Sequence, residues 1–360
     1  MKKARESRFE GIGKGVRRTV AGLVLGAGLL GTGVAGAEEL TELTFGTNWF
    51  AQAEHGGFYQ AKATGIYEKY GLDVSIEMGG PQVNNVQLLL AGKQDVTMGY
   101  PIRNIKSLVQ DLPVVTIAAP FQSDPQALLA HPHVKSLEEI KGKPVYVFSG
   151  AKQTFWPWLE ANYGFTDDMI RPYTFSVQPF LADDSVVQQG YVTSEPYAME
   201  KGGVTPSIFL FAEYGYPPYA QTLETTRDMV AEQPEVLRKF VQASMEGWKS
   251  YFENPAPGNE LIKQDNPEMT DEQIAFGIDK MKEYGLVSGG DAQEKGLGVM
   301  TDERWKATFD FMAKAGMVPR TWITNRPTPW NSCPRSRCCP DTPGAGPNGG
   351  GPRLCFPSAF

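Results

Sequence analysis

Residues 43–76, LTFGTNWFAQAEHGGFYQAKATGIYEKYGLDVSI, decide the fold. Residues 43–47 read as a short strand, and residues 58–70 as a helix interrupted at Gly65 and stopped by Gly71. Residues 72–76 return to strand alternation. A strand, a covering helix and a second strand in so short a stretch make a parallel βαβ unit.

The pattern continues outward with a helix at 83–90 closed by Ala91-Gly92, a strand at 95–100, a helix at 104–109 and a strand at 114–119. The order βαβαβαβ predicts a parallel sheet covered by helices. A second α/β unit is expected after Asp124-Pro125, with a short helix at 137–140, a strand at 144–148, a helix at 154–163 and a strand at 188–193. Residues 224–226 lead into a long amphipathic stretch at 227–252, followed by helices at 271–284 and 302–315. Thr270 and Thr301 each precede acidic residues, placing a capping oxygen and negative charge at the positive end of a helix.

The chain has 360 residues, 41% hydrophobic and 21% charged, enough for two modest domains. In residues 1–37, seven basic side chains surround the approach to an apolar run at 20–34 that ends in Ala35-Gly36-Ala37. That is the form of a secretory signal peptide with an A-x-A cleavage site. The run is rich in Gly and falls short of the roughly 20 residues of a good bilayer span, so a retained anchor is the weaker reading. Arg17-Arg18 leaves twin-arginine export open beside the general route, and no Cys follows the cleavage site to carry a lipid. A free periplasmic protein is expected. Residues 38–326 hold 24 basic and 38 acidic side chains, a net charge near −14, which argues against nucleic acid or anionic membrane as partner. All four cysteines, Cys333, Cys338, Cys339 and Cys355, fall in the last 28 residues, and their spacing fits no zinc pattern.

Asn48-Trp49-Phe50, the run from His55-Gly56-Gly57 to Lys62 and Gly71-Leu72-Asp73-Val74 resemble the SsuA/Thi5-like (NMT1/THI5-like) periplasmic substrate-binding proteins of ABC importers. Leu89-Leu90-Ala91-Gly92-Lys93-Gln94-Asp95-Val96, Ser136 to Lys143 and Tyr191 to Tyr197 extend the resemblance in order and spacing, from about residue 43 to 318. The resemblance implies a two-lobed type II periplasmic binding protein fold, each lobe a mostly parallel α/β sheet flanked by helices, closing on a small-molecule ligand. It also implies docking on a permease driven by an ATPase, and a monomer is expected. Residues 38–123 and 223–318 would build lobe one and 124–222 lobe two. Known ligands of the family include nitrate, alkylsulfonates, taurine, flavins and pyrimidine precursors of thiamine.

Ligands of open α/β sheets sit beyond the carboxyl ends of the strands. That rule selects 48–58, 79–85, 100–104 and 121–122 in lobe one, and 149–156 and 195–197 in lobe two. Trp49, Phe58, Tyr59, Tyr100, Trp156 and Tyr197 offer stacking planes there, and Asn48, Gln82, Asn84 and Gln122 offer amides. His55, Ser149, Thr154 and Glu195 complete the candidate ligand-binding set. Planes and amides together suit a flat, largely uncharged heterocycle, with a thiamine-pyrimidine precursor first. Each position has a structural alternative: Trp49, Tyr100 and Trp156 as core caps, His55, Ser149 and Thr154 as helix caps, Glu195 as a hinge residue. A nitrate, sulfonate or taurine ligand would want charge-assisted donors, and the loops supply only Arg103 and Lys152.

Catalytic signals are thin. Ser149-Gly150-Ala151-Lys152 matches S-x-x-K without S-D-N or K-T-G, and His131 and His133 stand as an isolated pair. Some relatives in the family are thiamine pyrimidine synthases, with a Lys that binds pyridoxal phosphate and a His consumed as substrate. Their motif, laid on Met98-Gly99-Tyr100, puts Pro101 and Ile105 at those two positions. No catalytic residue, metal or cofactor is therefore expected, and transport is preferred over the synthase reading.

From Arg320 the resemblance stops, and residues 327–360 collect 8 Pro, 5 Gly and every Cys, a composition that cannot bury a core and is expected to be disordered. A frameshift near Arg320 would account for it. The codons of residues 321–331, read from their third bases, permit Leu-Asp-Tyr-x-x-Ala-Tyr-Thr-Leu-Glu, a suitable family ending.

Overall fold

The computed structural model describes residues 39–320; the expected signal peptide and the Cys-rich tail lie outside the described residues. Strands β1 (Thr41–Gly46), β2 (Leu72–Glu77), β3 (Val96–Gly99) and β4 (Val114–Ala118) come first in the chain. They are followed by β5 (Gln126–Ala130), β6 (Val145–Val147), β7 (Ile170–Pro172), β8 (Val187–Tyr191), β9 (Ser207–Leu210) and β10 (Thr222–Thr226). Among the described residues the strands form two five-stranded sheets, ordered β2-β1-β3-β10-β4 and β7-β6-β8-β5-β9.

Each sheet is mostly parallel, as expected for the two lobes, with one antiparallel strand that the βαβαβαβ order alone does not predict for the first. β10 lies antiparallel between β3 and β4, and β5 lies antiparallel between β8 and β9. A parallel neighbour needs a crossover that carries the chain back to its starting end, usually a helix. β5 and β10 instead follow the short segments 119–125 and 211–221 that pass from one sheet to the other. These crossing segments pair with each other at an isolated antiparallel bridge, Phe121 with Ala220.

The helices begin where the sequence marks them. Thr270 and Thr301 accept from the backbone N–H of Gln273 and Arg304 at 3.2 and 3.3 Å, opening the helices Asp271–Glu283 and Asp302–Lys314. The long amphipathic stretch divides at Gln233 into Arg227–Glu232 and Pro234–Glu253, as Pro234 supplies a helix start and no N–H.

In lobe one, Phe45 on β1 meets Phe58 at a ring-centroid distance of 4.6 Å and Phe240 at 5.3 Å, and Phe58 meets Trp248 at 6.0 Å. Fully burying each such side chain contributes about 1.5–3 kcal/mol. The helix Gly56–Ala63 lies so close to Pro234–Glu253 that a Cβ on Gly57 would stand 2.3 Å from the Trp248 ring, and one on Gly247 2.2 Å from Gly57 O. Glycine at both points lets the helices touch, which fixes where the residues before Gly56 emerge beside β1. In lobe two β5 is buried along its whole length, Ala127 and Leu129 joining one apolar cluster and Leu128 and Ala130 another. Both faces of that sheet are thus covered.

Candidate functional site

A cleft of about 1400 Å³ opens between the two sheets and is lined by residues of both. It lies at the carboxyl ends of the parallel strands: Asn48 and Trp49 follow β1, Met78 and Gly80 follow β2, Tyr100 follows β3, Ser149 follows β6 and Tyr173 follows β7.

The loop after β1 is braced against its neighbours. Thr47 Oγ1 accepts from the Gly79 N–H at 3.0 Å, and Asn85 Nδ2 donates to Thr47 O at 2.8 Å. Gly79 must be glycine because a Cβ there would lie 2.2 Å from Thr47 O, a backbone atom that cannot swing away. The bracing holds Asn48 where a hydrogen-bonded chain begins. The Gln52 N–H donates to His55 Nδ1 at 3.3 Å, which leaves the proton on Nε2, and Nε2 donates to Asn48 Oδ1 at 3.0 Å. Asn48 Nδ2 then donates to the Tyr100 hydroxyl at 2.7 Å, and that hydroxyl contacts the Tyr191 hydroxyl of lobe two. Burial pushes the His55 pKa down to about 3, so the ring is neutral and acts as a fixed donor.

Lobe two answers with aromatic rings around one carboxyl group. Glu195 accepts from the Tyr191 N–H at 2.7 Å and from the Tyr173 hydroxyl at 3.0 Å, and burial raises its pKa. Tyr173 packs on Phe175 at 5.1 Å, and Phe175 meets Trp49 of lobe one at 5.0 Å across the cleft. Phe175 is 50% exposed and adopts a φ of 59°, a left-handed conformation unusual for a bulky residue. With Phe50, Met78 and Val83 it gives the cleft an apolar, solvent-facing rim.

Of the residues selected from sequence, Asn48, Trp49, His55, Asn84, Tyr100, Ser149, Thr154 and Glu195 line the cleft. Asn84 caps the helix Asn85–Leu90 by accepting from the Gln87 N–H at 3.2 Å, and the Thr154 hydroxyl donates to Gly150 O at 3.1 Å. The other six are placed elsewhere. Phe58 and Trp156 are wholly buried, Phe58 against Phe45 and Trp156 against Phe165 at 5.6 Å. Gln122 donates to Ala119 O and Val299 O, both at 2.9 Å, and so ties down a crossing segment. Tyr59 donates to Asp265 at 2.7 Å, reaching the cleft wall only through that partner, and Tyr197 packs on Phe276 at 5.6 Å. Gln82 is exposed between Pro81 and Val83, which line the cleft in its stead. The physical reason is packing: Phe58, Tyr59 and Trp156 lie on helices whose buried faces turn toward the cores, and Gln122 is spent on holding a crossing segment.

Sequence reasoning missed Tyr173, Phe175, Asp124, Gln126, Gln221 and Glu224, all of which line the cleft. Tyr173 and Phe175 follow β7, a three-residue strand containing Arg171 and Pro172 that alternation does not reveal. The other four lie on or beside the crossing segments. The preference for residues just past strand ends stops at Gln122 on the first segment and passes over the second, where Gln221 comes immediately before β10 and Glu224 within it.

Cations are scarce in the cleft. Among its lining residues, Lys152 pairs with Asp167 at 2.5 Å, and the Arg103 guanidinium stands 5.7 Å from the centroid of the Tyr100 ring. Burial raises the carboxyl pKa values of Asp124 to about 7 and Glu224 to about 8. His131 makes an internal contact, its Nε2 at 2.8 Å from Phe180 O and its ring stacked on Phe180 at 4.2 Å.

Residues 52–257 match the family model described as NMT1/THI5 like. The riboflavin-binding protein RibY of Chloroflexus aurantiacus is 24% identical over 291 residues, covering 78% of this chain and 82% of its own. A formylaminopyrimidine-binding protein of Halalkalibacterium halodurans is 25% identical over 263 residues, covering 68% and 80%. Among solved structures, the periplasmic aliphatic sulphonate binding protein SsuA of Escherichia coli aligns with a TM-score of 0.59 at 13% identity, over 78% of this chain and 89% of its own. The periplasmic nitrate-binding protein NrtA of Synechocystis aligns with a TM-score of 0.57 at 15% identity, over 79% and 84%. Those two structures establish the periplasmic binding protein fold and say nothing about the ligand.

Proposed function

The chain belongs to the NMT1/THI5-like family, and from that premise we propose that it is the periplasmic solute-binding component of an ABC importer, capturing a small flat heterocycle between its lobes. A thiamine-pyrimidine precursor is the first candidate. The observation that carries this reading is the cleft wall: aromatic rings from both lobes, Trp49 and Tyr100 facing Tyr173 and Phe175, with neutral hydrogen-bonding groups between them. Stacking planes and amides recognise a ring system that has little charge. An anion would want several charge-assisted donors, and the wall offers two cations: Lys152, which pairs with Asp167, and Arg103, which lies against the Tyr100 ring. Two relatives whose names state a ligand, riboflavin and formylaminopyrimidine, support a nitrogen heterocycle.

Binding rather than chemistry is favoured by the helix that follows β3. Pro101 and Ile105, at the positions where the synthases of the family carry their reactive Lys and His, open and bury the helix Pro101–Val109, and neither offers a nitrogen that can react. A thermal-shift screen of aminopyrimidines, riboflavin, alkylsulfonates and nitrate tests the reading. A shift with pyrimidines or flavin is expected; a shift confined to nitrate or sulfonates would overturn it.

A further inference from the structure

Arg304 sends its guanidinium to both crossing segments at once. It lies half-buried in the first turn of the helix Asp302–Lys314. Its Nη2 donates to Gln122 O of the segment 119–125 at 2.7 Å, and to Pro218 O of the segment 211–221 at 3.5 Å. Nε donates to Pro217 O, and the charged group stands 4.8 Å from the centroid of the Tyr219 ring. Carbonyls of two separate segments thus share one planar fork, whose donors keep a fixed geometry.

The chain just before Arg304 holds the same segments by other bonds. The Ala119 N–H donates to Gly298 O at 3.0 Å, and the N–H groups of Gln122 and Ser123 donate to Leu286 O at 2.7 and 3.2 Å. The Tyr219 hydroxyl donates to Asp291 at 3.1 Å and accepts from the Thr301 N–H at 3.0 Å. All of this is anchored in lobe one: the helix Asp302–Lys314 packs on the helix Pro101–Val109, and Phe121 meets Trp248 at 5.6 Å.

Lobe two holds the segments only further out. Pro125 O accepts from the Val192 N–H at 3.0 Å, and the Tyr216 N–H donates to Phe211 O at 3.0 Å. Between the two sets of anchors lie Asp124 on one segment and the link from Tyr216 to Pro217 on the other. Asp124 and Tyr216 each precede a proline, which has no N–H to tie down and keeps the residue before it extended. A rotation of one sheet against the other has to be absorbed by a few residues of the segments that join them.

We propose that Arg304 is a positioning residue that clasps both crossing segments to lobe one, so that the lobes swing about Asp124 and Tyr216. Without the clasp the segments bend along more of their length, and the lobes of the unliganded protein part more widely. This rests on the chain being a binding protein whose lobes close, whatever ligand they enclose.

The test compares the full, unliganded wild-type chain with Arg304→Met by hydrogen exchange with mass spectrometry and by small-angle X-ray scattering. The amides of Gln122, Ser123 and Ala220 should exchange roughly tenfold faster in the variant, as expected for the loss of a hydrogen bond from a charged donor. Exchange in the strands of both sheets should stay at the wild-type rate, and the radius of gyration should rise. Wild-type protection of the segments in a folded variant overturns the clasp. An even loss of protection across both sheets also overturns it, because Arg304 then serves general stability alone. Freed segments with an unchanged radius of gyration overturn its hold on lobe motion. If Arg304→Met does not fold, Arg304→Lys carries the test: it keeps the charge and loses the fork, so at least one segment should be freed. No ligand enters the measurement, so a failed clasp and a failed ligand screen are read separately.

Discussion

Trp49 and Phe175 approach from opposite lobes to 5.0 Å, so a planar ligand has to part the two rings or slide in beside them. Trp49 is half-buried and packs mainly on Phe50 and Phe175, which makes its removal tolerable to the fold. Trp49→Ala is expected to abolish the ligand-induced thermal shift while the unliganded melting temperature stays within a few degrees; an undiminished shift would remove Trp49 from the site. Tyr100 acts differently, since its hydroxyl both accepts from Asn48 and contacts Tyr191 across the cleft. Tyr100→Phe keeps the ring and deletes the bridge. If the bridge holds the lobes together, ligand should dissociate about tenfold faster, one hydrogen-bonded link being worth about 1–1.5 kcal/mol. Stopped-flow fluorescence measures this, and an unchanged rate would show that the hydroxyl pair does not contribute to closure.

At the scale of elements, the site is made by loops that lean on one another. Gly79 lies under Thr47, and Gly79→Ala would force its Cβ against Thr47 O, displacing the loop that presents Asn48 and Trp49. The variant should lose both stability and affinity, whereas a cap deletion far from the cleft should cost stability alone. Thr226→Ala is that control: neither Thr226 nor Met229 lines the cleft, and the change removes the acceptor of the Met229 N–H and should destabilise by about 1 kcal/mol. Chemical denaturation and calorimetry on the pair separate the two effects, and equal loss of affinity in both would refute the local role of Gly79. The elements recovered from sequence, such as the strand over β1 and the helices after Thr270 and Thr301, carry a cap, a glycine stop or clean alternation. β5 and β10 carry none of these: β5 is buried on both faces, and β10 reads as Thr-Leu-Glu-Thr-Thr.

For the whole molecule, ligand that binds only the folded protein raises its stability by mass action, about 2.7 kcal/mol at a hundredfold excess over the dissociation constant. The unliganded protein carries a pH dependence of its own. Burial raises Glu54 and Asp124 to about 7 and Glu224 to about 8. A carboxyl raised in the folded state favours folding fully below its unfolded value, and that contribution is lost as pH rises through the folded value. His55, lowered to about 3, works in the opposite sense: its contribution is present above 6.5 and lost as pH falls toward 3. Between pH 6.5 and 8.5 only the carboxyls of this set titrate, so the melting temperature should fall over that range. Glu224→Gln should flatten part of the fall; a slope unchanged in that variant would assign the dependence to other groups.

The sequence by itself determined the periodic βαβ order, the helix caps, the family resemblance and the strand-end loops that hold Asn48, Trp49, Tyr100 and Glu195, because each is written in neighbouring residues. Only the tertiary structure decided which side chains of those loops turn inward. It sent Phe58 and Trp156 into the core, and brought Phe175 opposite Trp49 although 125 intervening residues separate them in the chain. It also decided that the crossing segments form part of the cleft wall, with Asp124 and Gln221 on them. The physical reason is that caps and alternation are local energies, whereas a cleft is the space left between two sheets after both have packed. Its lining is set by the path of the chain between them, which no local pattern records.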